Sequence, residues 1–439
     1  MHTDTQLLNT QMTIEGLKWI DRWRIGNGRA DSYVVPFPTT RPINIVTHGE
    51  ERFEYGQYGI HLAQQDVLTF LGNVNARIRA RFIDCRMTSP TFRRSVDIYF
   101  APTSGRTLII PPGVAHTFSG LEGVVTLNAY CLFLPPLEAV VQPIVGWRPE
   151  HDIINLPLDT EPKSVEGVTA MSEPASDRVY YQLAELQTAA LSARDVTHGE
   201  TRSFVLNSGE NVRLMLQQTP NPLRATANWP TSQIGGVKFE RRAAVQTGEH
   251  SRIIPVAGPS PLYIVDHGTQ PYSFDSFGIH LGQEDHLTFF GSSEHVIRLH
   301  LVDMREGSAT LHREEWHTFS PDPEMQLVIP CGVAHALSDM EHVFTLNRPA
   351  LYLDEHNAYQ PGNDVIDWPI SDRAYPVLRP NEKPASLPYL QALAKLQKQT
   401  MAAAAVVQTP KAVLVNDEAT GKQVKVILSQ TAAVAKPAP

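Results

Sequence analysis

The sequence predicts a mainly β protein built from two copies of one unit, and two observations support this prediction. Shifting the chain by 219 positions aligns residues 34–128 with residues 253–347 without a gap, and 38 of the 95 aligned positions are identical. Self-similarity at a fixed offset is typical of repeated structural units. Each copy also contains many short runs rich in β-branched and aromatic residues, bounded by Gly, Pro and Ser, and such runs are typical of strands.

Within each copy the pattern changes from strands to a helix and then to a hairpin. The runs "DVLTFLG" and "ARIRARFID" alternate partly between apolar and polar residues, as half-buried strands do. Residues 180–194 and 387–405 carry Leu, Ala and Tyr at helical spacing. The stretches "NSGEN" and "NDEATGK" that follow these helices are typical of hairpin turns. Many short strands without interleaved helices indicate a sandwich or a barrel.

The repeat divides the chain into segments. We predict an N-terminal extension at 1–13 and a first repeat at 14–219, with its barrel at about 30–165 and its helix and hairpin at 176–219. A linker at 220–233 precedes the second repeat at 234–431, which has its barrel at about 250–378 and its helix and hairpin at 385–431. The tail at 432–439 is predicted to be disordered.

Charge and composition exclude several classes of partner. The formal net charge is −9 and the chain has no basic run, so neither nucleic acid nor an anionic membrane is expected as a partner. There is no signal-peptide pattern and no apolar run of about 18 residues, so we expect a cytoplasmic protein. The three cysteines show neither pairing nor metal spacing, which favours reduced thiols. The expected partner is a small-molecule substrate.

One phrase occurs in both copies, as "TLIIPPGVAHTFSG" at 107–120 and "QLVIPCGVAHALSD" at 326–339. The stretch Gly-x5-Pro-x-Gly-x2-His of the first copy resembles the second sequence motif of the cupin barrels. Pro111 and Gly113 turn the chain there, and His116 is then expected to point into the barrel. The second copy keeps Pro330, Gly332 and His335 but has Glu324 where the leading glycine would be.

The chain more specifically resembles the dTDP-4-dehydrorhamnose 3,5-epimerase family. The stretch "IDCRMTSPTFRRSVDIYF" resembles the Asp-x-Arg and Ser-Pro-Thr-Phe core of that family, and "YGIH" and "FGIH" resemble its Gly-Leu-His strand. The stretch "IDWPISDRAYPVL" resembles its closing segment. The resemblance implies two tandem RmlC-like cupin (jelly-roll) barrels. Because two barrels pair in the family's dimer, it also implies that the repeats pair within the chain, with a possible homodimer.

The resemblance also implies the site residues. The catalytic base would be His61 in the first copy and His280 in the second, and Asp372 would be an acidic partner of a base. The other candidates are the turn histidines His116 and His335 and the substrate-binding positions His48, His267, Asn128, Asn347, Tyr58 and Phe277. A structural role is open for each of them: a core histidine, a backbone-bonded amide or, for Asp372, a loop cap.

The chain departs from the family at catalytic positions. Asn128 and Asn347 stand where the family has a tyrosine acid, and the lysine expected about ten residues after the base is absent. Tyr58 and Phe277 stand where the family has an arginine that helps to hold the nucleotide. We therefore expect a metal-independent isomerase, epimerase or related lyase that abstracts a proton next to a carbonyl, without a cofactor. Its substrate would be a carbohydrate-like or specialised-metabolite intermediate rather than a standard dTDP-sugar.

Two other functions are open. A metal-dependent bicupin oxygenase could use His48, His61 and His116 as a three-histidine site. The first cupin motif normally supplies His-x-His and then Glu, whereas this chain has Gly-Ile-His followed by Leu62 and Ala63, which argues against a metal site. The third possibility is a non-catalytic bicupin that binds a small molecule.

Overall fold

The structure is a computed structural model of the whole chain. It describes residues 2–26, 31–134, 153–181, 183–184, 201–205, 211–215, 229–242, 244–246, 251–271, 273–356, 365–408, 411–416 and 423–428. The predicted tail, the first nine residues of the predicted linker and the two predicted hairpin turns lie mostly outside these residues.

Among the described residues, the first half of the chain begins with a helix, His2–Gln11, and continues mainly in strands. The strands are β1 (Lys18–Asp21), β2 (Ile25–Gly26), β3 (Tyr33–Phe37), β4 (Ile43–Thr47), β5 (Gln57–His61), β6 (Gln64–Gly72), β7 (Ile78–Asp84), β8 (Ser95–Phe100), β9 (Arg106–Ile110), β10 (Val114–Ser119), β11 (Val124–Asn128), β12 (Cys131–Leu134), β13 (Ile153–Pro157), β14 (Glu173–Pro174), β15 (Thr201–Val205) and β16 (Asn211–Met215). A short 3-10 helix, Pro162–Ser164, follows β13.

The second half repeats this order. Its strands are β17 (Lys238–Arg241), β18 (Val245–Gln246), β19 (Arg252–Val256), β20 (Leu262–Asp266), β21 (Ser276–His280), β22 (Gln283–Phe290), β23 (Ile297–Asp303), β24 (Glu314–Phe319), β25 (Asp322–Ile329), β26 (Val333–Ser338), β27 (Phe344–Asn347), β28 (Ala350–Leu353), β29 (Val365–Pro369), β30 (Lys383–Pro384), β31 (Lys411–Asn416) and β32 (Gln423–Leu428). A helix, Leu387–Gln408, precedes the last two strands.

Each repeat forms two antiparallel sheets that face each other. In the first repeat a nine-stranded sheet runs β1-β9-β6-β11-β4-β19-β18, with β12 and β14 at its side, and a five-stranded sheet runs β13-β5-β10-β7-β8. Alternation explains the packing: on β7, Ile78, Ala80 and Phe82 are buried in the core between the sheets, whereas Arg79 and Arg81 point outward. The second repeat has the same arrangement. The predicted jelly-roll fold class is confirmed.

The two repeats exchange strands. β3, with β2 beside it, pairs with β20 in the sheet of the second repeat, and β19, with β18, pairs with β4 in the sheet of the first. The predicted barrels at about 30–165 and 250–378 therefore each contribute strands to the other. The outer faces of the two nine-stranded sheets pack together around a buried core that includes Phe37, Ile45, Leu71, Ile254, Phe290 and Leu346.

A helix and a hairpin follow the barrel of the second repeat, as expected, whereas most of the helix predicted at 180–194 in the first repeat lies outside the described residues. The helix Leu387–Gln408 packs Leu390 and Leu393 against Leu351 and Leu353 of β28. In the first repeat the described helical residues begin at 177, and Tyr180 packs there in a cluster with β12. β15 pairs with β16 and β31 pairs with β32. No helix among the described residues is long and apolar enough to cross a membrane.

Candidate functional site

The strand that carries the predicted base points it into the barrel. On β21, Gly278 and His280 line the cavity of the second repeat, whereas Phe277 points to the opposite face, where it packs against His300. Tyr58 of β5 is likewise buried in the outer cluster of the first repeat. The prediction that Tyr58 and Phe277 bind substrate is therefore not supported, because strand alternation directs them away from the barrel interior.

The turn motif brings the second histidine next to the first. Gly113 and Gly332 adopt a φ of +79°, which favours glycine, and each donates its N–H to the carbonyl oxygen of the predicted base. The strand that follows begins with Val-Ala-His, so the histidine lies beside the base strand. The ring centroids are 5.8 Å apart for His61 and His116. They are also 5.8 Å apart in the second repeat.

A buried carboxylate that the sequence interpretation missed faces both histidines. Asp66 on β6 has a side chain only 4% exposed, and its Oδ2 lies 3.2 Å from His116 Nε2 and 3.9 Å from His61 Nε2. In the second repeat, Asp285 Oδ2 lies 3.4 Å from His335 Nε2 and 3.8 Å from His280 Nε2. Each repeat thus contains a cluster of two histidines and one aspartate, here called the His–Asp–His cluster.

Two amide side chains hold the other oxygen of the carboxylate. Asn128 Nδ2 donates to Asp66 Oδ1 over 2.8 Å, and Gln64 Nε2 donates to the same oxygen over 2.7 Å. Asn128 Oδ1 accepts the backbone N–H of Val67 over 3.0 Å. The same bonds recur in the second repeat, where Asn347 and Gln283 hold Asp285. The asparagines thus bond the backbone and also orient the carboxylate, so that Oδ2 is directed at the imidazoles.

The turn histidines are oriented by the backbone. His116 Nδ1 lies 3.2 Å from the carbonyl oxygen of Val114, and His335 Nδ1 lies 3.4 Å from that of Val333. A carbonyl oxygen only accepts, so this contact is a hydrogen bond in the form of the ring that carries a hydrogen on Nδ1, and in a neutral ring of that form the lone pair of Nε2 is directed at the aspartate. Burial lowers the pKa of both rings, although the neighbouring aspartate opposes this shift. Either a proton on Nε2 or a cation between the two atoms would satisfy both the ring nitrogen and the carboxylate.

The other predicted residues lie outside the cluster. His48 packs against the rings of Phe53 and Tyr55, and burial lowers its pKa to about 3. His267 lines the second cavity, and its Nε2 lies 2.9 Å from Thr345 Oγ1. Asp372 is exposed and accepts the backbone N–H of Ala374 over 2.9 Å, as a loop cap does. The buried acidic partner of His280 is therefore Asp285 rather than Asp372.

The second repeat contains an open cavity of about 310 Å³, and the three residues of its cluster form part of the wall. Its wall consists of Val34, Tyr263, Val265, His267, Phe274, Ser276, Gly278, His280, Asp285, Leu287, His335, Leu337, Thr345, Asn347, Val365 and Asp367. Val34 comes from the exchanged strand β3, so the first repeat completes the pocket of the second.

The donor set fits a transition-metal ion. In each repeat one ligand atom from each histidine and one from the aspartate lie within 4.8 Å of one another, and no other group of this kind is found in the described part of the chain. Two histidines and one carboxylate form a ligand set typical of divalent transition metals. The expectation of no metal was based on the missing His-x-His and Glu of the first cupin motif. Asp66 and Asp285 supply an acidic group, whereas glycine still stands where that motif has its first histidine. The three-histidine metal site proposed from the sequence also changes, because the third group beside His61 and His116 is Asp66 rather than His48.

The paired antiparallel sheets of each repeat define a tandem jelly-roll fold, and each repeat carries the same His–Asp–His cluster. No family model and no curated protein matches the chain. It is similar to the Legionella pneumophila epimerase RmlC, with 14% identity over 38% of this chain and 88% of that chain and a TM-score of 0.23. It is similar to oxalate decarboxylase from Lactobacillus farciminis, with 9% identity over 76% of this chain and 86% of that chain and a TM-score of 0.23. It is also similar to vicilin from hazelnut (Corylus avellana), with 9% identity over 80% of this chain and 86% of that chain and a TM-score of 0.25.

Proposed function

We propose that each His–Asp–His cluster binds one divalent transition-metal ion and that the chain is a metal-dependent bicupin enzyme for a small, oxygen-rich molecule. The observation that carries this proposal is the convergence of three ligand atoms within 4.8 Å in both repeats. The hydrogen bonds behind these atoms support it, because metal-binding histidines commonly donate their other ring N–H to a backbone carbonyl and ligating carboxylates are themselves hydrogen-bonded.

The surroundings of the cluster leave space for a ligand. Gly278 precedes His280 on the same face of β21, and a Cβ at this position would lie 3.8 Å from His335 Nε2. The absence of a side chain there keeps one side of the cluster open to the cavity. A divalent ion held by one carboxylate retains a net positive charge, which favours a ligand with one anionic oxygen. The bound ion would act as a Lewis acid that polarises such an oxygen.

Metal content tests this proposal. Protein loaded with Co²⁺ and then desalted should retain two ions per chain by plasma mass spectrometry. Asp66→Asn and Asp285→Asn should each retain one ion, and the double variant should retain none, because each change removes the anionic ligand of one cluster. Asp367→Asn, at the cavity wall but outside the cluster, is the matched control and should retain two. Wild-type protein that retains no ion would refute the proposal.

A second candidate function is the metal-independent isomerase, epimerase or lyase on a carbohydrate-like or specialised-metabolite intermediate. It is favoured by the position of His280, whose Nε2 lies in the cavity wall 3.8 Å from Asp285 Oδ2, where the carboxylate would stabilise a protonated ring. The two functions predict different activities once a chelator has removed bound metal. The metal-independent function would be supported if metal-stripped protein still catalyses the incorporation of deuterium from solvent into its substrate. The His280→Asn variant should then lose this activity. A non-catalytic pocket would show no incorporation in either state.

A further inference from the structure

The wall of the second cavity carries a carboxylate that does not belong to the His–Asp–His cluster. Asp367 on β29 lines this cavity and is exposed to solvent. Asp285 is the other carboxylate of the wall, and none of the described wall residues is a lysine or an arginine. The negative charge of Asp367 is therefore not balanced by a permanently cationic side chain of the wall.

Strand pairing fixes the position of Asp367 relative to the turn histidine of the cluster. Gly278 on β21 is paired with His335 of β26 on one side and with Asp367 of β29 on the other. Because neighbouring strands lie about 5 Å apart, the backbones of His335 and Asp367 are about 10 Å apart, with a glycine between them. A Cβ at Gly278 would meet one described side chain within 4 Å, that of His335. The side of Gly278 that faces Asp367 is therefore open, and a ligand bound at the cluster can extend across it to Asp367.

The first repeat has the same row of residues with a neutral amide in place of the carboxylate. Gly59 is paired with His116 and with Asn155 of β13. Leu156, the next residue, packs against the outer cluster, so strand alternation directs Asn155 to the barrel interior. A Cβ at Gly59 would meet nothing within 4 Å among the described residues. The two pockets therefore share an open glycine position but differ in charge beside it.

We infer that Asp367 is a specificity-determining residue of the second pocket, which selects a ligand that offers an anionic oxygen to the metal at one end and an ammonium group to Asp367 at the other. The inference rests on the proposed metal function. A carboxylate only accepts hydrogen bonds and attracts a cationic donor, whereas the amide of Asn155 both donates and accepts and carries no charge. The first pocket therefore does not distinguish a cationic end of a ligand from an anionic one, and the two pockets differ in the ligands they prefer.

The test compares two chelating hydroxamates of similar length and opposite charge. β-Alanine hydroxamate ends in an ammonium group and succinic acid monohydroxamate ends in a carboxylate. The Asp66→Asn protein is the parent, because its single cobalt site lies in the second repeat, and the visible spectrum of bound Co²⁺ reports binding. The ammonium probe should bind about fivefold more tightly than the carboxylate probe, as expected for the difference between an attractive and a repulsive exposed charge pair. Adding Asp367→Asn should remove this preference and leave one cobalt per chain. Adding Asp372→Asn, the same charge change outside the cavity wall, is the matched control and should leave the preference unchanged.

A reciprocal variant tests the inference from the first pocket. The Asp285→Asn parent, whose cobalt lies in the first repeat, should bind both probes with similar affinity, and adding Asn155→Asp should create a preference for the ammonium probe. Raising the ionic strength should weaken each preference, because exposed charges are screened by salt. An unchanged preference in the Asp367→Asn protein with cobalt bound would overturn the inference and leave the metal function standing. If Asp367→Asn fails to fold, equal binding of the two probes by Asn155→Asp overturns it instead. An Asp66→Asn parent without cobalt would refute the metal function and the inference together.

Discussion

At the scale of single residues, each His–Asp–His cluster depends on a buried carboxylate, Asp66 or Asp285, that lies outside the two histidine motifs. His61 and His116 were recognisable because both belong to motifs that recur in the second copy. Asp66 is also identical in both copies, but the stretch "LAQQDV" resembles no motif of the family. Its role depends on a contact across two sheets. Its identity in the two copies is the one feature of the sequence that points to Asp66 as a site residue.

A second pair of equivalent aspartates, Asp84 in the first copy and Asp303 in the second, has a structural role that predicts a pH dependence of stability. Asp303 accepts hydrogen bonds from Arg305, Ser308 and Thr310. Burial alone would raise the pKa of Asp303, but these bonds outweigh it and lower the pKa to about 2. Because the folded-state pKa lies below the unfolded value of about 3.9, the carboxylate stabilises the fold above pH 4, and this contribution is lost as the pH falls towards 2.

Asp303→Asn should therefore lower the melting temperature at pH 7, by an amount that corresponds to about 2 kcal/mol. The difference from the wild type should shrink between pH 4 and pH 2, where the wild-type carboxylate is protonated too. Scanning calorimetry at pH 7, 4 and 2.5 measures this, with the exposed Asp275→Asn as the control. A difference that stays constant down to the lowest pH would contradict the prediction.

At the scale of strands, the pattern predicted which segments are extended but not where the chain changes sheets. β5 ends at His61 in the five-stranded sheet, and β6 begins at Gln64 in the nine-stranded sheet. Counting alternate residues onward from His61 assigns Gln64 and Asp66 to the outside. The reversal at residues 62–63 restarts the alternation, so that both point into the barrel with Leu68 and Phe70, which lie in its core. Periodicity is a property of one strand and does not continue across such a reversal.

At the scale of the molecule, the repeat predicted two similar units, but the strand exchange could not be derived from it. β3 and β19 occupy equivalent positions in the two copies and have similar sequences, "VVPF" at 34–37 and "IIPV" at 253–256. Either strand would satisfy the pattern of either sheet, so local pattern does not choose between them. The exchange matters for the sites because Val34 of β3 lines the second cavity.

The exchange leads to a prediction for Phe37, which β3 buries between the repeats. Its side chain is 1% exposed in the core shared by the two nine-stranded sheets. Phe37→Ala should destabilise the protein by about 3–5 kcal/mol, because a large buried ring is replaced by a cavity. The effect should appear first in the second repeat, since β3 pairs with β20. Hydrogen exchange of β20 amides should accelerate more than that of β7 amides, which lie in the five-stranded sheet of the first repeat. The exposed Tyr99→Ala is the control, and equal acceleration of β7 and β20 would contradict the pairing of β3 with the second repeat.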